Sequence, residues 1–122
     1  MKMFPSHDRW GLNVVSGAFL EYEFLTKFDI IWMYHSLEHM WKPEWVIQKI
    51  RGITTELAYI FIVVPYPDIG PETAHCASDE MGTRVDDHGQ TFMSWLKSQK
   101  VFPYVYKFDN FREREIWVRA KK

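Results

Sequence analysis

Two runs of the chain are apolar on consecutive positions, Ile30-Ile31-Trp32-Met33-Tyr34 and Leu57-Ala58-Tyr59-Ile60-Phe61-Ile62-Val63-Val64. Side chains of a strand point alternately to opposite faces, so an unbroken apolar run predicts cover on both. That is the condition of a parallel sheet flanked by helices. Between the runs stands Pro43, suited to the first turn of a helix because its missing N–H would be unpaired there anyway. From Pro43, Val46, Ile47 and Ile50 recur at helical spacing with Trp45 alongside, while Glu44, Gln48, Lys49 and Arg51 face water. Gly52 is expected to close this helix. Strand, helix and strand in this order make a right-handed crossover unit in an open α/β sheet.

The flanking sequence adds elements on each side. Leu12–Ser16 reads as a short strand closed by Gly17, and residues 18–27 as loop or a partial turn of helix. From Pro65 to His88 there is little periodicity, and a connection of that length in a compact domain is functional or disordered. Phe92, Trp95 and Leu96 mark a second amphipathic helix over Gln90–Gln99. Residues 101–108 and 114–120 alternate as strands around Asp109-Asn110-Phe111, an antiparallel pair in which Pro103 holds the first strand to an edge or to its opening residues.

A chain of 122 residues makes one domain, residues 1–122. Six Trp, six Tyr and nine Phe are a heavy load for that length, and they either fill a small core or line a subunit interface. A formal net charge of -1 creates no global field for nucleic acid or anionic lipid. The cations gather in residues 107–122, a solvated strand pair or, less in keeping with the charge balance, an RNA-facing edge. The one cysteine, Cys76, makes no intramolecular disulfide and fits a reducing, cytoplasmic compartment. No run reaches membrane-spanning length.

The wording Phe28-Asp-Ile-Ile-Trp-Met-Tyr-His-Ser-Leu-Glu-His39, then Pro43, then Phe61-Ile-Val-Val-Pro65, resembles the middle of a class I S-adenosylmethionine-dependent methyltransferase. The resemblance runs over residues about 12 to 120, from that family's third strand onward. It implies Leu12–Ser16 as strand three, Asp29–Met33 as strand four, Leu57–Val64 as strand five and the last pair as strands six and seven. Strands one and two have no counterpart, and no GxGxG cofactor loop occurs. The implied fold is α/β, a truncated Rossmann-like methyltransferase sheet, mostly parallel with a C-terminal antiparallel pair and helices on both faces. By position, the resemblance puts Gly17, Ala18, Phe19 and Leu20 near the adenine of S-adenosylmethionine. Met33, Tyr34, His35, Ser36, Leu37 and His39 fall by the methyl-transfer mouth.

Candidate chemistry gathers in two places. His35 has an unperturbed imidazole range suited to a general base, or it merely borders the cleft. With Glu38 and His39 it lacks the HExxH spacing of a zinc site, and no metal is expected. In the long loop Asp86, Asp87 and His88 precede the second helix. Asp87 and His88 are either catalytic groups that deprotonate an acceptor or the cap of that helix. Cys76 is expected to be inert. The resemblance thus implies a minimal methyltransferase acting on a hydroxyl or amine of a small molecule, sugar or RNA. A strand edge left uncovered predicts a homo-oligomer. The competing readings are a non-catalytic methyltransferase-like binding or partner subunit and an aromatic-rich RNA-binding module.

Overall fold

The computed structural model describes residues 15–67, 74–110 and 114–122. Their elements run β1 (Phe28–Tyr34), a 3-10 turn (Leu37–His39), α1 (Pro43–Ile53), β2 (Thr54–Pro65), α2 (Ser78–Met81), α3 (Gln90–Ser98), β3 (Tyr104–Asn110) and β4 (Glu115–Lys121). The expected strand at Leu12–Ser16 falls largely outside the described residues, and so do Phe111 of the last turn and residues 68–73 of the long loop. Among the described residues no helix is long and apolar enough to cross a membrane.

The four strands form one sheet in the order β1-β2-β4-β3. β1 and β2 pair in parallel, with Ile31 beside Ile60 and Met33 beside Ile62, as a crossover through α1 requires. β4 pairs antiparallel with β2 and with β3, so the hairpin partner inserts next to β2 and leaves β3 at the edge. Pro103 stands immediately before that edge strand, where it removes no ladder hydrogen bond. The sheet is therefore mixed, not mostly parallel: one crossover supplies one parallel pair, and the hairpin makes the other pairings antiparallel.

Both long helices pack on the same face. α1 buries Pro43, Val46, Ile47 and Ile50, and α3 buries Phe92, Met93 and Leu96. Beneath them lie Ile60, Ile62 and Val64 of β2 and Ile116, Val118 and Ala120 of β4, joined in one hydrophobic cluster. Gly52 does not end α1. The helix continues to Ile53 and passes directly into β2, and its last carbonyls find other donors. The Thr54 hydroxyl donates to Ile50 O at 2.7 Å, and the Lys122 ammonium to Arg51 O at 2.8 Å and Thr54 O at 3.0 Å.

The expectation of helices on both faces is not met among the described residues. The opposite face of the sheet is a plain of side chains in three cross-strand rows. The first row is Ile30, Tyr59, Lys121 and Tyr104; the second is Trp32, Phe61, Arg119 and Tyr106. The third is Tyr34, Val63, Trp117 and Phe108. Ile30 and Trp32 are 64% and 54% exposed, while Ile31 and Met33 between them turn inward. The apolar runs do prepare both faces for cover, but α1 and α3 are both spent on one.

Candidate functional site

At the carboxyl end of β1 the chain turns sharply at His35, whose φ of 49° is left-handed. Its N–H still donates to Val63 O at 2.8 Å, which anchors the turn to β2. The His35 Nε2 meets Glu115 Oε2 at 2.5 Å. Glu115 opens β4 opposite Pro65, and its side chain is 3% exposed against 39% for the imidazole. The Trp117 indole donates to Glu115 Oε1 at 3.1 Å, and the Tyr34 ring stacks on His35 with centroids 4.3 Å apart. Burial pushes the Glu115 carboxyl up, but hydrogen bonds from Tyr34, Trp117 and His35 outweigh it and hold it below the usual carboxylate range. A buried carboxylate that stays ionised fixes the orientation of the imidazole.

The second cluster is organised by Tyr66. Its N–H donates to Arg114 O at 2.6 Å, and its hydroxyl donates to Asp86 Oδ1 at 2.6 Å while accepting from the His88 N–H. Burial, and then the Asp86 acceptor, push the Tyr66 phenol above its ordinary value, so it stays a donor. His88 takes a left-handed φ of 57° and its carbonyl accepts from Lys107 Nζ at 2.5 Å. Gly89 follows with φ 77°, and a Cβ there would stand 3.0 Å from Ile116 Cγ2, so this turn lies close against β4.

Asp87 bonds to the first turn of α3. Its Oδ2 accepts from the Thr91 N–H at 2.9 Å and from the Thr91 hydroxyl, and that side-chain bond first of all holds the carboxyl below its usual range. The carboxylate thus takes up a first-turn amide of α3 from two residues before its N-cap, Gly89. The His88 ring is exposed and lies 6.1 Å from the Tyr66 ring. His35 thus belongs with Glu115, and Asp87 and His88 to a separate cluster around Tyr66 and Thr91.

The residues expected near the cofactor divide as well. Gly17, Ala18, Phe19 and Leu20 line a cavity of about 330 Å³ whose far side is Met40, Trp41 and Val46. The segment is a turn, in which Ala18 O accepts from Glu21 and Tyr22 N–H at 3.1 and 3.2 Å. Lys49 of α1 clasps it, donating to Phe19 O and, at 2.5 Å, to Tyr22 O, with its ammonium 5.1 Å from the Phe19 ring centroid. Ser36 donates to Tyr34 O at 3.3 Å. Leu37 is fully buried in the core and Met33 nearly so, which leaves neither side chain facing a cleft. His39 points its Nδ1 to Ala74 O, with its ring 4.6 Å from His75.

This geometry can be set beside known proteins. The sequence matches no protein-family model and no curated protein. Among solved structures it is similar to the crystal structure of a "putative O-methyltransferase" from Nostoc punctiforme PCC 73102, with a TM-score of 0.61 at 17% identity. The match covers 88% of this chain and 36% of that one, so the chain spans about a third of that protein's length. At this identity the likeness is one of fold. It agrees with the α/β architecture and its four-stranded mixed sheet.

The sequence reading missed Glu115, Trp117, Tyr66, Met40 and Trp41. Glu115 was visible in one respect: it is the acid at the head of the alternating run Glu115-Ile-Trp117-Val-Arg119, in phase with the aromatic positions. An acid in that phase needs a donor, and nothing local in the sequence identifies His35 as one.

Proposed function

We propose that this chain is an S-adenosylmethionine-dependent methyltransferase unit acting on a hydroxyl, with His35 as its base and Glu115 as the group that positions it. The observation carrying this reading is the 2.5 Å contact between His35 Nε2 and Glu115 Oε2 at the carboxyl end of the parallel pair. Ligands of open α/β sheets bind at those ends. With Nε2 turned to the carboxylate, Nδ1 is the imidazole nitrogen left to take the acceptor's proton. Glu115 then stabilises the imidazolium. The similarity in fold to an O-methyltransferase candidate supports the same acceptor class.

The cavity bounded by Phe19, Leu20, Met40 and Trp41 suits the aromatic base of the cofactor, since it offers apolar walls and a turn without bulky side chains at Gly17 and Ala18. When bound, S-adenosylmethionine supplies the methyl group as an electrophilic carbon on a sulfonium. The loop from His35 to Trp41 joins base and cavity. We also propose that the chain works as a homo-oligomer, because among the described residues β1 stands at a sheet edge and no helix packs on the sheet's aromatic face. A methyltransferase-like partner subunit without catalysis is the second reading, favoured by that same bare face.

Calorimetric titration with S-adenosylmethionine and S-adenosylhomocysteine tests the first reading. Binding that weakens in a Trp41→Ala variant supports it. No heat up to about millimolar ligand, the weakest affinity such a titration reads, leaves only the partner-subunit reading.

A further inference from the structure

We propose that the aromatic face of the sheet is the interface of a symmetric homodimer in which two copies stack face to face. The inference rests on the self-association in the reading above and not on its chemistry. Of the twelve positions in the three rows, eight are aromatic, two are aliphatic, two are cationic and none is acidic. Seven of them are exposed large apolar side chains, about half uncovered. Half of the 150–250 Å² that a large aromatic presents gives roughly 700 Å² in all, close to the ≈ 800 Å² each partner gives to a stable interface. A monomer's largest apolar patch is about 300–600 Å².

The order of the strands makes the face complementary to itself. Turning a second copy over about an axis along the strands sets β1 on β3 and β2 on β4 with the rows kept in place. Arg119 then lies over Phe61 of the second copy, Lys121 over its Tyr59, Trp32 over its Tyr106 and Ile30 over its Tyr104. Each cation meets a ring, an attraction already made within the chain where Arg119 stands 5.1 Å from the Tyr106 centroid. An axis across the strands would instead oppose Arg119 to Arg119. Shape agrees with charge. Val63, the smallest of the twelve, is already covered by its neighbours, and beside it Trp32, Phe61, Trp117 and Phe108 wall an apolar cavity of about 270 Å³. In the first arrangement the indole of Trp117 from the second copy stands opposite this cavity.

Sedimentation velocity from about 1 to 100 µM protein tests this, using the opposed and exposed pair Ile30 and Tyr104. The wild type is expected to be a dimer. Ile30→Glu and Tyr104→Arg, each with unchanged far-UV circular dichroism, are expected to weaken dimerisation by about 100-fold, and an equimolar mixture of the two to recover a heterodimer. A wild type that stays monomeric overturns the proposal, as do single variants that dimerise normally or a mixture that does not recover. A monomer that binds fluorescent oligouridylate, and loses it in Ile30→Glu, assigns the face to single-stranded RNA instead. A dimer that binds no S-adenosylmethionine overturns the proposed chemistry alone, and a monomer that binds it overturns the interface alone.

Discussion

The indole nitrogen of Trp117 lies 3.1 Å from Glu115 Oε1, on the carboxylate whose other oxygen holds His35. One buried anion therefore serves two strands, and it should govern the pH response of this end of the sheet. Glu115 is held below its usual range, so its contribution to stability is full above the unfolded carboxylate value and is lost as pH falls through the folded one. Glu115→Gln is expected to cost about 1–3 kcal/mol at pH 7, through charge-assisted bonds that a neutral amide cannot replace. Urea unfolding at pH 7 and at about pH 3, below the ordinary carboxylate range, should show the gap between wild type and variant shrinking in acid.

Asp87 reports on a different link, from side chain to helix start. Asp87→Ala removes the acceptor of the Thr91 N–H and hydroxyl and should lower stability by about 1 kcal/mol. The carboxyl is held below its usual range, so this loss is present at neutral pH and fades in acid. Thermal melts of both proteins across that range read it. A variant of unchanged melting temperature at pH 7 would remove the cap as an account of the residue.

Tyr66→Phe deletes the hydroxyl that bridges Asp86 and the His88 amide. Faster hydrogen exchange at the His88 amide is expected, with a small loss of stability. The raised phenol gives a second readout. The Tyr66 phenol should ionise later than the ordinary value in an ultraviolet pH titration of the wild type, and Tyr66→Phe should lack that contribution.

Phe92 is fully buried where α3 meets the sheet. Phe92→Ala should cost about 3–5 kcal/mol, a large share of the 5–15 kcal/mol of a whole domain. Chemical denaturation is the check, and a loss below about 1 kcal/mol would mean that α3 is not packed as described.

Much of the helical and strand order is legible in the sequence because the periodicities are strong. Val46, Ile47 and Ile50 specify the buried stripe of α1, and Phe92 and Leu96 that of α3. The uninterrupted apolar runs do form the parallel pair β1 and β2. What they hide is which face is covered, since Trp32 and Met33 are equally apolar and only the course of the crossovers decides between them. Gly52 looked like a stop because glycine often is one, yet Thr54 and Lys122 take up the carbonyls and the helix runs on. The His35–Glu115 pair was beyond reach for a further reason. Its members are eighty positions apart, and only the β2–β4 register beside Val63 and Pro65 brings them together.

β2 carries two apolar sets in alternation, the slim Ile60, Ile62 and Val64 on one side and the broad Tyr59 and Phe61, with Val63, on the other. A slip of one residue exchanges the two sides of a strand, and in most sheets the error announces itself by sinking a polar group. Here a slip would sink little that is polar, the Tyr59 hydroxyl alone among Tyr59–Val64. The branched aliphatics match the narrow space under α1 and α3, whereas flat rings pushed into it would hold the helices off. Bulk, more than wettability, is what keeps this strand in step.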